Sequence, residues 1–384
     1  MFFIALKMLM GDRTKYMSIV LGLSFASFII SQQSAILVGI VNRTFGFITD
    51  TSQPNIWVVD PTVQYIDDIK PLKDTDLYRV MSINGIEWAV PIYKGLIQAR
   101  LKNGTFQTCI LIGIDDATFI GAPPIILQGK LEDLRIDGAV IVDKVGAESK
   151  LASYSKEYGK VPLKVGDVME LNDNRAIVVG ICSATRTFQS QPVIYTTYSN
   201  ATLFVPSQRK LLSFIVARSR PGVDAKALCR KITSITGLAA YTTKEIDSLT
   251  LSYYIKYTGI FVNFGVAIVL GFIIGITIAG QTLYNFTLDN LPYFGIFKAM
   301  GADNTLLTKI VMLQALFASC IGWGIGIGAA ALFGFLTANT ELSFSLPLWL
   351  YLMSGGSILL ISLFAAFICI RRVVNVDPAI VFKN

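Results

Sequence analysis

The sequence predicts an α+β membrane protein: four transmembrane helices, with a large extracytoplasmic α+β domain between the first helix and the second. Three observations lead there. Hydrophobic residues make up 53% of the 384 residues and charged residues only 15%, with a mean hydropathy of +0.57, whereas ordinary soluble chains carry about 25% charged residues. Several long windows hold no charge at all. One polar stretch of about 215 residues, ample for a folded domain, separates the first of these windows from the others.

Taking the elements in order, no residue between Lys15 and Arg43 is charged. As a helix, Met17–Val41 reaches about 37 Å, enough for a hydrocarbon core of about 30 Å. Further charge-free windows lie between Lys256 and Asp289, between Lys309 and Glu341, and between Glu341 and Arg371. Spans are therefore expected at 17–41, 259–282, 310–336 and 347–370. The first outlasts the apolar core of a cleavable signal peptide and has no A-x-A site after it, so it reads as an anchor. Within residues 1–16, Phe2–Met10 is apolar apart from Lys7. Too short to cross, it suits a cytoplasmic interfacial helix in contact with membrane lipids.

Orientation follows from the flanks. Lys7, Arg13 and Lys15 precede the first span, Lys298 and Lys309 lie in the loop 283–309, and Arg371, Arg372 and Lys383 lie in the tail 371–384. The short loop Thr337–Ser345 has no Lys or Arg. The positive-inside rule then places both termini and the 283–309 loop in the cytoplasm. Residues 42–256 fall outside, and their own basic residues do not oppose this, because long domains cross largely regardless of charge.

The outer domain opens and closes with helix-like sequence. Val41–Thr51 keeps Val41, Phe45, Phe47 and Ile48 as apolar positions, and Thr242 with Glu245 forms a capping box for a helix leading into the second span. Spans one and two are thus expected to reach beyond the bilayer as stiff levers. Between them, Ile56–Asp60, Trp88–Leu101, Thr108–Ile114, Ser213–Arg218 and Ala239–Thr242 read as strands, and Thr75–Ile83 and Val223–Thr236 as helices. Asn103-Gly104 marks a hairpin. Two βαβ-like pieces, a split βαβ subdomain, bracket a β-rich insertion over 121–204 that includes Ala176–Ile181 and Pro192–Thr197.

Chemistry on the chain itself is excluded at several points. No His is present, which removes imidazole as general base, metal ligand and pH switch. A phosphate-cradling GxxxxGK[ST] loop is missing, because Gly129-Lys130 and Gly159-Lys160 lack the spacing and the following Ser or Thr. Any ATP is therefore hydrolysed on another chain, and no catalytic, cofactor or metal residue is assigned. Asp67-Asp68, Asp115-Asp116 and Glu132-Asp133 read as solvated turns. The formal charge of +7 comes without a basic run interleaved with aromatics, so it is membrane-surface and topogenic charge rather than a nucleic-acid footprint. Cys109, Cys182 and Cys229 are odd in number and widely spaced. They read as small buried apolar side chains, with a disulfide among them left open.

The four spans hold no Asp, Glu, Lys or Arg, unlike secondary transporters that place ionisable groups at midplane. Span one is nonetheless polar at Ser24, Ser27, Ser31, Gln32, Gln33 and Ser34, residues that face other helices rather than lipid. Gly271 and Gly275, like Gly322 and Gly326 or Gly324 and Gly328, have the spacing of close helix contacts. Ser27, Ser31, Gln32, Gly271 and Gly275 are the candidate helix-packing or dimer residues.

The loop after span two reads DNLPYFGIFKAMGADNTLLTK over 289–309. Pro292 suits a first helical turn, Tyr293–Met300 makes two turns with Phe294, Phe297 and Lys298 projecting, and Gly301 ends them. FGIFKAMGA resembles the EFGxLKAxGA signature of the MacB/FtsX/LolE-type ABC transporter permeases. Asp377-Pro378-Ala379 after Arg371-Arg372 is similar to their C-terminal ending, and the layout of one span, a large domain and three spans matches theirs. The resemblance implies a permease subunit, not an enzyme, that couples ATP hydrolysis on a separate ABC ATPase dimer to export or release of substrate outside the membrane. ATP and Mg would belong to that partner. It implies a homodimer or paired permease held by spans one and two, in a bacterial inner membrane. It also implies that Pro292, Tyr293, Phe294, Gly295, Phe297, Lys298, Ala299 and Gly301 form the ATPase-coupling helix. Tyr293 stands where that family often has an acidic residue, which implies a more apolar contact. Lacking a fused ATPase, the chain is most similar in layout to DevC-type permeases, which implies a membrane-fusion adaptor and a TolC-like outer-membrane channel as partners. Extraction of a lipid, lipoprotein or haem from the outer leaflet, and FtsX-like regulation of a cell-wall hydrolase, are the alternatives.

Overall fold

The computed structural model describes residues 2–155, 159–188, 190–206, 212–338 and 340–375. Asp377, Pro378, Ala379 and Lys383 lie outside the described residues. The helices are α1 (Phe2–Gly11), α2 (Arg13–Thr44), α3 (Gly46–Asp50), α4 (Asp74–Met81), α5 (Lys144–Glu148), α6 (Tyr198–Phe204), α7 (Ala225–Thr236), α8 (Thr243–Tyr257), α9 (Ile260–Asp289), α10 (Leu291–Ala299), α11 (Asn304–Thr337) and α12 (Leu348–Val374). The strands are β1 (Ile56–Val59), β2 (Ile86–Arg100), β3 (Phe106–Ile114), β4 (Ile125–Gln128), β5 (Ala139–Asp143), β6 (Ser153–Ser155), β7 (Gly159–Val161), β8 (Val168–Leu171), β9 (Asn174–Ser183), β10 (Val193–Thr197), β11 (Phe214–Ser219) and β12 (Ala239–Thr242). Two compact units result, Met1–Ile40 with Gly259–Asn384, and Val41–Thr258.

In the first unit, α2, α9, α11 and α12 are each long and apolar enough to cross a membrane. Ile19, Leu23, Ala26 and Ile30 of α2 share a buried cluster with Leu283 and Phe286 of α9, Ile310 and Ala318 of α11, and Ile361 and Ala365 of α12. The N-terminal helix α1 joins the same cluster through Ala5 and Leu9. There Gln314 Nε2 donates to the Ala5 carbonyl at 3.3 Å, so one apolar face of α1 is taken by the chain's own bundle rather than by lipid. α9 differs from its neighbours in how little of it is buried. Val262, Val266, Val269 and Ile273 stand exposed along it, at 4-3-4 spacing.

In the second unit, β12, β1, β11 and β2 lie side by side in that order, all antiparallel. With α4 between β1 and β2 and α7 between β11 and β12, this is the split βαβ arrangement of ferredoxin-like sheets. Alternation sorts the strands into two faces. Ile56 and Val58 turn toward Val80 of α4 and Leu228 and Ile232 of α7, while Trp57 and Val59 turn toward Phe47 of α3 and Ile246 of α8. Phe47, Trp57 and Phe214 meet with ring centroids 5.6 to 5.9 Å apart.

β2 changes partner midway. Ile92 is its last residue opposite β11, and Tyr93 its first opposite β3. From there β2, β3, β10, β5, β9 and β8 pair in turn, and β8 returns to β2, so six strands close on themselves. Ile97, Cys109, Leu111, Ile194, Val142, Val140, Val178 and Met169 belong to the cluster this circuit packs around. Closure leaves no free edge within the circuit, the reason small barrels are stable. The insertion expected over 121–204 therefore starts earlier. β3, expected in the bracketing pieces, runs parallel to β10, with Ile110 opposite Val193. The hairpin turn at Asn103-Gly104 forms as read, with Gly104 at φ +79° and Leu101 N–H donating to the Thr105 carbonyl at 2.9 Å.

Neither expected lever is one rod. α2 ends at Thr44 and α3 starts after Phe45. α8 has the Thr242–Glu245 capping box, but Gly259 at φ +65° separates it from α9, a conformation that glycine adopts without strain.

Candidate coupling helix

α10 is short, and it is fixed at both ends. Pro292 occupies its first turn, where a missing N–H costs nothing. At its C-terminus Ala302 N–H donates to the Phe297 carbonyl at 2.9 Å, and Gly301 N–H to the Lys298 carbonyl at 3.1 Å. With Gly301 at φ +94°, this pair of bonds is a Schellman motif. Asp303 then caps α11, accepting from Asn304 N–H at 2.7 Å. Its hydrogen bond from the Thr305 hydroxyl, more than any other contact, holds its carboxyl below the usual range.

The faces of α10 correct the expectation that Phe294, Phe297 and Lys298 project. Phe294 is fully buried in the cluster that holds Phe286, Leu307 and Val373, Gly295 is buried beside it, and Phe297 packs partly buried against the same cluster. The Lys298 ammonium donates to the Val374 carbonyl at 2.8 Å. What projects is the stripe Tyr293, Ile296 and Met300, exposed by 57, 40 and 76%, together with Pro292 and Ala299. The i, i+3, i+7 spacing of the stripe puts it on one helix face. The reason is tertiary: α10 is apolar nearly all round, so its anchor is decided by which side meets the bundle.

Of the helix-packing candidates, Ser27, Gly271 and Gly275 meet other helices of the same chain. Ser27 Oγ donates to the Trp323 carbonyl at 3.3 Å. Among the described residues Ser31 Oγ is buried without a hydrogen-bond partner, and Gln32 Oε1 accepts from Gln33 Nε2 at 3.4 Å. A Cβ on Gly271 would stand 3.0 Å from Ile30 Cγ1, and one on Gly275 2.8 Å from Ala26 Cβ. These two glycines let α9 close on α2 of the same chain, which leaves no room at them for a second copy. Gly322 and Gly326 likewise lie against Leu23, Ser24 and Ser27.

Sequence reasoning missed two features of the second unit. Asp67, read as part of a solvated turn, forms an ion pair with Lys94, whose side chain is 4% exposed. A loop between β9 and β10 is clasped to the end of α2 and to α3. Asp50 accepts from both the N–H and the hydroxyl of Thr185 at 2.7 Å, and Arg43 Nη1 donates to Ser190 Oγ at 3.0 Å. Burial raises the Asp50 carboxyl despite these bonds. No local pattern announces either contact, since each joins residues far apart in sequence.

Comparison with known proteins adds the following. The family model described as MacB-like periplasmic core domain matches residues 19–235, more than half of the chain, and that described as FtsX-like permease C-terminal matches residues 265–378. Two uncharacterized ABC transporter permeases of Mycobacterium tuberculosis, from strains CDC 1551 and H37Rv, are each 24% identical over 320 residues, 81% of this chain and 79% of theirs. Among solved structures, the periplasmic region of MacB from Actinobacillus actinomycetemcomitans is 17% identical, covering 55% of this chain and 96% of that one with a TM-score of 0.39. The extracellular domain of the noncanonic ABC-type transporter YknZ from Gram-positive bacteria is 12% identical, covering 50% and 99% with a TM-score of 0.35.

Proposed function

The chain belongs to the MacB/FtsX-type permeases of ABC transporters, and from that premise we propose that it is the force-transmitting subunit of an export machine driven by a separate ATPase dimer. An ABC permease works with an ABC ATPase; here α10 is the part that engages it. The observation that carries this reading is the division of α10 into a buried anchor, Phe294, and an exposed apolar stripe, Tyr293, Ile296 and Met300. A helix held this firmly at its core side moves the bundle when its outer face is pushed.

ATP and Mg bind the partner, and this chain carries no catalytic residue and no cofactor. Closure of the ATPase pair displaces α10 on the cytoplasmic side, where both termini also lie. Outside, the Arg43–Ser190 and Asp50–Thr185 bonds tie the end of α2 and the start of the domain to the closed six-stranded circuit. Motion there is passed to the surface that handles substrate, for delivery to a membrane-fusion adaptor and a TolC-like channel. Two copies pair through the exposed Val262, Val266, Val269 and Ile273 face of α9, since its glycine face is already filled by α2. The setting is a bacterial inner membrane.

The test is substrate-dependent ATPase activity of the chain reconstituted with its ATPase. Replacing Ile296 with Asp is expected to abolish stimulation; stimulation at the wild-type level would rule out α10 as the docking element.

A further inference from the structure

In the second unit, two adjoining hollows of about 290 and 470 Å³ share Tyr65, Asp67, Ile69, Lys94 and Leu96 in their walls. Tyr253, Tyr254 and Phe188 complete the first. The rings form one cluster: Tyr65 stacks on Tyr253 at 4.2 Å, and Tyr254 meets Tyr65 and Phe188 edge-on at 5.8 and 5.7 Å.

The charges are not equally accessible. The Lys94 side chain is 4% exposed, and its ammonium is shared between Asp67 and the face of Phe47, 4.3 Å from the ring centroid. Although Lys94 lines both hollows, its charge is already met by these two partners and little of its side chain is open to a ligand. Asp67 is 36% exposed and meets Lys94 through Oδ1, which leaves its carboxylate presented to the groove. Asp68 lines the second hollow, whereas its ion-pair partner Lys70, 3.5 Å away, lines neither. The field agrees: the Tyr65 and Tyr254 hydroxyls are raised first by burial, and also by Asp67. Aromatic faces beside a fixed carboxylate are the recognition chemistry of organic cations, and Leu96, Ile110 and Phe188 supply an apolar wall.

We propose that this groove binds molecules carrying an alkylammonium group on an apolar body, with the cation held by Asp67 and the tyrosine rings and the apolar part against Leu96, Ile110 and Phe188. Lys94 is a positioning residue that keeps Asp67 in place.

The full chain in phosphatidylglycerol nanodiscs is titrated calorimetrically with decyltrimethylammonium, decanesulfonate and decyl maltoside, with empty discs subtracted. Saturable binding of the cation, at least tenfold tighter than of the other two, is expected. Tyr253→Leu, which keeps apolar area but removes the ring, is expected to weaken it about tenfold. Asp67→Asn removes the charge but strands Lys94, so the pair Asp67→Asn with Lys94→Met serves as the matched variant, and it too should lose the preference for cation. Equal binding of the sulfonate or maltoside, or unchanged cation binding in both variants, overturns the proposal. Repeating the titration in phosphatidylcholine discs distinguishes the sources: weakened binding identifies a choline headgroup as occupant, and unchanged binding a free cationic amphiphile. No ATPase is present, so failure here leaves the coupling reading untouched.

Discussion

Phe294 and Ile296 are two residues apart on α10, and the structure assigns them opposite roles. Phe294→Ala empties a fully buried site, and truncations of this kind cost about 3–5 kcal/mol, a large part of a typical total of roughly 5–15 kcal/mol. Ile296→Asp alters a 40% exposed position, where substitutions usually change stability by about 0.5 kcal/mol or less. In a docked complex the balance reverses. Docking can bury only the 40% of Ile296 that is still exposed, so losing that burial forfeits about 0.6–1.2 kcal/mol, and an unpaired carboxylate against an apolar groove adds about 1–3 kcal/mol. At about 1.4 kcal/mol per tenfold, the ATPase should bind the Ile296→Asp chain at least ten times more weakly. Thermal unfolding of the purified chain measures the first effect, and titration of the ATPase subunit against reconstituted chain measures the second. A normal melting temperature for Phe294→Ala, or full ATPase affinity for Ile296→Asp, would refute the division of faces.

Other outcomes follow from the packing. Gly275→Val forces a side chain into contact with Ala26, and overpacking of this kind costs about 1–3 kcal/mol, readable as a lower melting temperature in detergent with no change in oligomeric state. Cys109, Cys182 and Cys229 are free and buried, and burial pushes the Cys229 thiol up to about 12 and the other two higher still; maleimide should label them only after denaturation. Asp143 accepts from Gly146 and Val193 N–H at 2.7 Å, but burial still raises its carboxyl. A raised folded value means that the native state binds the proton more readily, so the contribution of Asp143 to stability is fully present below the unfolded value of about 3.9 and is lost as pH rises through the folded one. The difference in melting temperature between wild type and Asp143→Asn should therefore change with pH across that window and stay flat above it.

Much of the architecture could be read from local sequence because its causes are local. The windows free of charge around Gly271 and Gly322 have no other solution than apolar helices, and Thr242 with Glu245 satisfies backbone donors three residues apart. Asn103-Gly104 turns a hairpin by its own conformational preference. What escaped depends on residues distant in sequence. β3 looks the same whether it pairs only with β2 or also with β10, so the boundary of the insertion could not be placed by pattern. Asp67 looks like any turn carboxylate until Lys94 arrives from β2. On α10, Leu291, Phe294, Ile296 and Phe297 leave no polar face, and helical periodicity cannot say which side turns inward; only the bundle decides that Phe294 is the anchor and Ile296 the outward face.

The most direct measurement is photocrosslinking from position 296. A benzophenone amino acid replacing Ile296, in cells that express the chain with its ATPase, is expected to give a covalent product containing the ATPase subunit, while the same probe at Leu96 gives none. A crosslink to the ATPase from Leu96, or none from position 296 in a complex that still hydrolyses ATP in response to substrate, would contradict the account.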